Sequence, residues 1–203
     1  MHHFLPLCRT KKTDEKHAIK ALTFIVFSDT IYAPKEGENK SRLSAIIVCR
    51  AADVMLIREL KKSDELEFLK LCGEFYSSDS TLKPFCPNVA KNTFSRVMEK
   101  HENLWGYLFC DSETGEPIGY ALVTSYWCNE EGGNVLVLDE LYICPTSRHH
   151  GYGGTFLKWL EQKFKGSAVA ITLEVLTTNQ DAKSLYKKDG LVPDGFVTYT
   201  KSI

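Results

Sequence analysis

The sequence predicts an α/β fold: a mixed, mostly antiparallel sheet with helices on both faces, preceded by an N-terminal extension. Three observations carry this. Apolar runs of strand length alternate with helical stripes from about residue 53 onward. Consecutive strand-like runs separated only by turns, "LWGYLFCD", "IGYALVTSYW" and "VLVLDELYI", come first and read as antiparallel hairpins. Strand–helix–strand units follow, and these need a parallel pairing.

The elements read in order as β-α-α-β-β-β-α-β-α-β. "VMLIREL" is the opening strand. "SDELEFLKLCGEFY" is a helix with Ser63 as N-cap and a stripe of Leu66, Leu69, Cys72 and Phe75. "STLKPFCPN" is a loop, and "VAKNTFSRVMEK" is a helix facing inward with Val89, Phe94, Val97 and Met98. Three strands follow, with "SETGEP" and "CNEEGGN" as turns. "GYGGTFLKWLEQKF" is a helix with Phe156, Leu157, Leu160 and Phe164 inward. "AVAITLEVL" is a buried strand, "NQDAKSLYKKDG" a helix closed by Gly190, and "FVTYTK" a last strand.

Residues 1–52 differ from the rest. They carry nine Lys/Arg against five Asp/Glu, whereas residues 53–203 carry 16 against 21. The boundary falls near Asp53, giving an extension (1–52) and a domain (53–203). The extension is either packed on the domain or lies upstream of the true start, since the run from Met55 reads like a domain opening. The 203 residues have a net charge of −1, so nothing points to nucleic acid. The longest early apolar stretch, "ALTFIVF", is too short to span a bilayer. Seven cysteines include no C-x-x-C pair and read as reduced thiols, the pattern of a cytoplasmic protein.

The run "SRHHGYGG" holds three glycines at a helix entry. Helix N-termini carry unpaired N–H groups and a positive dipole end, and glycines let that backbone close on an anion. Arg148 adds a cation. The P-loop pattern fails, because no lysine follows at the required spacing, and the dinucleotide fingerprint fails because Phe156 stands where glycine is needed. R-x-x-G-x-G is met by Arg148, Gly151 and Gly153. With "LYICPTSRHHGYGG" before it and "NQDAKSLYKKDGL" after it, the stretch resembles the acyl-CoA pyrophosphate loop and the N-x-x-A-x-x-x-Y helix of the GNAT superfamily of N-acetyltransferases. The resemblance covers about residues 53–203. One departure is the run Gly190-Leu191-Val192-Pro193-Asp194-Gly195, where the family has Gly-Phe leading into a strand.

The resemblance implies acetyl-CoA as co-substrate and direct acetyl transfer to a primary amine. It implies that backbone N–H groups from Leu141 to Ile143 hold the thioester carbonyl. It assigns Arg148, His149, His150, Gly151, Tyr152, Gly153 and Gly154 to the pyrophosphate, and Asn179 and Ala182 to the cofactor arm. Tyr186 is then the acid for the leaving sulfur. Glu140 is the first choice for the base, and Asp139 the fallback; alternation puts Asp139, Leu141 and Ile143 on one face and Glu140 with Tyr142 on the other. The two histidines are expected to act through their amides, with no metal site. Cys144 is not expected to be a nucleophile. The acid pair resembles polyamine-type members, so the substrate expected is a small, cationic amine. Two rival readings stand: a non-catalytic acyl-CoA-binding module, and an enzyme acting on a protein or peptide amine. No nucleic acid or membrane partner is expected. A homodimer is compatible with the sequence, which does not fix the oligomer.

Overall fold

The computed structural model describes residues 45–50, 53–78, 80–100 and 103–203. Residues 1–44, assigned above to the extension, lie outside the described residues. One six-stranded sheet runs β1 (Ala45–Arg50), β2 (Asp53–Glu59), β3 (Leu104–Asp111), β4 (Pro117–Cys128), β5 (Gly133–Ile143) and β6 (Ala170–Leu173), in that spatial order. Every neighbouring pair is antiparallel except β5 with β6, which is parallel. The parallel pair is the one bridged by a helix, as a crossover requires. Among the described residues the sheet therefore starts at Ala45, inside the segment read as an extension.

Helices α1 (Glu65–Tyr76) and α2 (Pro87–Met98) cover one face, and α3 (Tyr152–Lys163) and α4 (Gln180–Lys188) the other. The α1 face is filled by Phe68, Leu71, Phe94, Leu108, Tyr120 and Leu122. The α3 face is filled by Tyr107, Phe109, Leu136, Leu138, Phe156 and Leu160. Each fully buried side chain of this size contributes about 1.5–3 kcal/mol, so two such layers fix the order of the strands between them.

β6 is a strand only over Ala170–Leu173 and is half-buried there, not the buried run expected, and three further expectations need correction. The inward stripe of α1 is Phe68, Leu71 and Cys72, flanked by half-buried Leu69 and Phe75; Leu66 is 83% exposed. Ser63 does not cap the helix; Asp64 stands at its N-cap position. A 3-10 turn at Lys62–Asp64 precedes α1. Buried Asp64 accepts the Lys61 N–H at 2.7 Å and both Arg58 terminal nitrogens, at 2.6 and 3.0 Å. Likewise α2 starts at Pro87, a residue suited to the first helical position, and turns Ala90 inward while Val89 is exposed. The last strand is the third correction. Residues 191–203 form no strand, and Phe196 and Tyr199 are 79% and 92% exposed. Pro193 has no N–H, Gly195 sits at φ +86°, and Asp194 takes the Phe196 N–H at 3.0 Å. The local donors are spent on a turn.

Candidate acetyl-transfer site

The site grows from a mismatch in strand length. β6 pairs with β5 only as far as Leu173 with Leu138, but β5 continues to Ile143. On the other edge of β5, the Cys144 N–H donates to the Ile118 carbonyl at 2.9 Å. Backbone groups alternate sides along a strand, so the amides of Leu141 and Ile143 face the edge that β6 has left. Arg148 Nε donates to the Ile143 carbonyl on that edge at 3.0 Å, and its guanidinium lies 5.8 Å from the Tyr142 ring centroid.

A bulge divides the two halves of β5. Leu122 of β4 faces Glu140 and Val123 faces Leu138, so Asp139 is the extra residue. Leu136 and Leu138 pack on the α3 face, and so do Leu141 and Ile143 beyond the bulge. Glu140 and Tyr142 are thereby turned to the α1 face. Without the bulge, Glu140 would share the face of Leu138.

The loop after β5 prepares the N-terminus of α3. Pro145 opens a 3-10 turn, His149 takes φ +68° and Gly151 φ +81° at the N-cap. No side chain caps α3. The amides of Gly153 and Gly154 lie in the first turn, where a helix supplies no internal acceptor. A Cβ on Gly153 would come within 2.7 Å of Leu185 and 3.8 Å of Leu141. The glycine thus lets α3, α4 and the end of β5 meet. Arg148, His149 and His150 are exposed, and the His150 ring stacks on Tyr152 at 5.5 Å. The Tyr152 ring is buried in the core and carries the His150 ring on its face.

At α4, Asn179 is the N-cap. Its Oδ1 accepts the Ala182 N–H at 3.1 Å, and its Nδ2 donates to Ser80 Oγ at 3.3 Å. Its amide therefore ties α4 to the loop between α1 and α2. Tyr186 packs against the α3-face core, and burial raises its hydroxyl pKa. It is a phenol throughout the neutral range, as a proton donor must be.

Glu140 is only 8% exposed. Tyr76 donates to its Oε1 and Tyr120 to its Oε2, each at 2.6 Å. Burial raises the Glu140 pKa against the lowering effect of the two phenols, and Asp139 raises it further. Asp139 is exposed at the bulge; its carboxyl is raised by the surrounding protein and then by Glu174. Next along the strand, Tyr142 donates to Glu74 Oε2 at 3.0 Å, and burial followed by that bond pushes its hydroxyl up to about 12. The Cys144 thiol lies 3.9 Å from the same Glu74 oxygen and is raised by burial and then by Glu74, which disfavours a thiolate nucleophile.

The structure thus gathers Leu141, Ile143, Arg148 and Gly151–Gly154 along one edge, with Asn179, Ala182 and Tyr186 on the helix that packs beside it. It does not bring Glu140 to Tyr186: they sit on opposite faces of β5, and no hydrogen bond joins them. Sequence reasoning missed Tyr76 and Tyr120. The available signal was Glu140 itself, since a carboxylate in an apolar strand needs buried donors. Among the described residues no group of three or more His, Cys, Asp or Glu side chains could hold a metal ion. No described helix is long and apolar enough to cross a membrane.

A family model for the acetyltransferase (GNAT) family matches residues 71–191, more than half of the chain. The chain belongs to the GNAT acetyltransferase family. As a GNAT enzyme it is similar to D-amino-acid N-acetyltransferase HPA3 of Saccharomyces cerevisiae, 29% identical over 108 residues, which are 53% of this chain and 66% of that protein. It is also similar to the uncharacterized N-acetyltransferase YhfO of Bacillus subtilis, 28% identical over 154 residues, covering 73% and 98% of the two chains. Among solved structures, a possible acetyltransferase from Clostridium difficile superposes with TM-score 0.64 at 15% identity, covering 73% of this chain and 97% of that one. Aminoglycoside N-acetyltransferase AAC(6')-Iy in complex with CoA gives TM-score 0.61 at 13% identity, covering 76% and 99%. The fold of this GNAT chain is therefore shared well beyond recognisable sequence.

Proposed function

We propose that the protein moves an acetyl group from acetyl-CoA directly to the primary amine of a small, cationic molecule. One observation carries this reading: the edge of β5 at Leu141 and Ile143 that β6 does not reach, continuous with the uncapped glycine start of α3. An extended thioester arm lying along that edge meets strand-like backbone donors. A pyrophosphate at its far end meets the α3 amides and Arg148. Asn179 and Ala182 line the arm from α4.

The amine nitrogen attacks the thioester carbonyl carbon. The oxyanion is held by the N–H groups of Leu141 and Ile143. The C–S bond breaks, and Tyr186 gives its proton to the sulfur, regaining one from solvent. Glu140, with its pKa raised, accepts the proton the amine loses. The acceptor class rests on the acidic groups Glu74, Asp139, Glu140 and Glu174 around the end of β5. The relative named for D-amino-acid acetylation supports a small amine as acceptor.

Thiol release from acetyl-CoA, measured over a panel of amines, amino acids and peptides, tests the reading. Turnover with small amines is expected, with Tyr186→Phe lowering kcat while acetyl-CoA still binds. Binding without turnover of any amine would favour the non-catalytic reading. Turnover with peptides alone would move the substrate to proteins.

A further inference from the structure

We propose that the Tyr76 hydroxyl is the group that touches the substrate amine, relaying its proton to Glu140. This rests on the reading of Glu140 as the base. The two phenols on Glu140 are not equivalent. Tyr120 is fully buried, with its ring edge-on to Phe68 and Phe75 at 5.4 and 6.3 Å. Oε2 is therefore closed off by the core. Tyr76 is half-buried, the last residue of α1, where the chain leaves for the loop tied to Asn179. Its ring is held by Phe75 at 5.4 Å and Phe85 at 6.2 Å. Of the two carboxylate oxygens, only Oε1 has a partner with solvent contact, and that oxygen already accepts the Tyr76 proton at 2.6 Å. Glu140 adjoins Leu141, whose amide faces the edge proposed to hold the thioester, so the Tyr76–Glu140 pair sits one residue along the strand from that edge.

The proton balance closes. The nitrogen gives a proton to a lone pair of Tyr76 Oη as the Tyr76 proton passes to Glu140 Oε1. The phenol ends neutral, the carboxylate becomes a carboxyl, and the nitrogen lone pair is free to attack; the second nitrogen proton leaves to solvent as the tetrahedral species collapses to the amide, matching the one Tyr186 regains. No tyrosinate forms, in keeping with a Tyr76 hydroxyl whose pKa is raised by burial and then by Glu140. The titratable groups around this carboxyl are Tyr76 and Cys72 from α1, Tyr120 from β4 and Asp139 from β5. Burial pushes the Cys72 thiol up to about 12.

The test compares Tyr76→Phe, Tyr120→Phe, Glu140→Gln and the Tyr76→Phe/Glu140→Gln double variant in the full chain. Readouts are kcat and KM against pH, with acetyl-CoA affinity by calorimetry as the folding control. The relay predicts that Tyr76→Phe and Glu140→Gln each lower kcat by about 100-fold or more, the usual yield of a positioned acid or base. The double variant should lose no more than either single one, since the two act as a unit. Tyr120→Phe should keep kcat within about tenfold on the same scale and only move the acid limb to higher pH. Should Tyr76→Phe misfold, 3-fluorotyrosine at position 76 keeps the shape, and the relay predicts that kcat follows its altered acidity. If Tyr76→Phe merely shifts the limb as Tyr120→Phe does, Tyr76 positions the base and the relay is wrong. If Glu140→Gln is fully active, the base assignment itself fails. Loss in Glu140→Gln with full activity in Tyr76→Phe overturns the relay alone.

Discussion

Replacing Tyr120 by Phe should destabilise the protein in a pH-dependent way. The ring contacts with Phe68 and Phe75 survive, so packing is kept. What is lost is the 2.6 Å hydrogen bond to Glu140 Oε2. A hydrogen bond to a charged group contributes about 1.5–3 kcal/mol, and losing it raises the Glu140 pKa further. The sign follows from linkage. The folded Glu140 carboxyl already has a raised pKa, so the native state holds that proton more tightly than the unfolded chain. Its contribution is most favourable below the unfolded pKa and is lost as pH rises through the folded one. Tyr120→Phe raises the folded value again. Its cost should therefore be smaller at about pH 4 than at about pH 8. Urea unfolding of both proteins at the two pH values reads this directly, with unchanged m-values expected. An equal cost at both pH values, or none at pH 8, would mean that Tyr120 does not support an ionised Glu140.

Two further outcomes follow from packing and charge. Gly119→Ala would place a Cβ 2.2 Å from the Tyr142 carbonyl oxygen and 3.1 Å from Phe109, so β4 and β5 must part; thermal unfolding should show a loss of about 3 kcal/mol, the upper range for overpacking, and an unchanged melting temperature would contradict the close approach. Arg58→Ala leaves Asp64 with only the Lys61 amide. Burial alone would raise the Asp64 pKa, but the Arg58 hydrogen bonds hold it below its ordinary value. The bond's stabilisation is complete above the unfolded pKa and disappears as pH falls through the folded one. The variant should lose about 1–3 kcal/mol at pH 7, with the gap closing in acid; a gap that persists at pH 2 would contradict the ion pair.

Much of the fold from β2 to α4 was legible because the strand runs are long and apolar and the turns carry Gly, Pro and Asn. The loop was legible for a stronger reason: few backbones need glycines at 151, 153 and 154 after an arginine at 148. The features that were not legible depend on contacts distant in sequence. Leu66 reads as part of an apolar stripe, yet Asp64 binding Arg58 sets the rotation of α1. "FVTYTK" alternates like a strand, yet Pro193, Asp194 and Gly195 turn the chain before it. The Asp139 bulge has no local signature, since it is a mismatch against β4. The two phenols on Glu140 come from 64 and 20 residues away, and no spacing rule connects them.

The central claim is that the open edge of β5 and the glycine start of α3 hold acetyl-CoA. Calorimetric titration of acetyl-CoA into the intact protein, and into Gly151→Glu combined with Arg148→Ala, tests it most directly. Gly151 sits at φ +81°, and the added carboxylate would stand where phosphate oxygens are expected. The account predicts saturable binding by the intact protein and none by the double variant, with both showing the same circular dichroism. Absence of binding by the intact, folded protein, or equal binding by the folded variant, would contradict it.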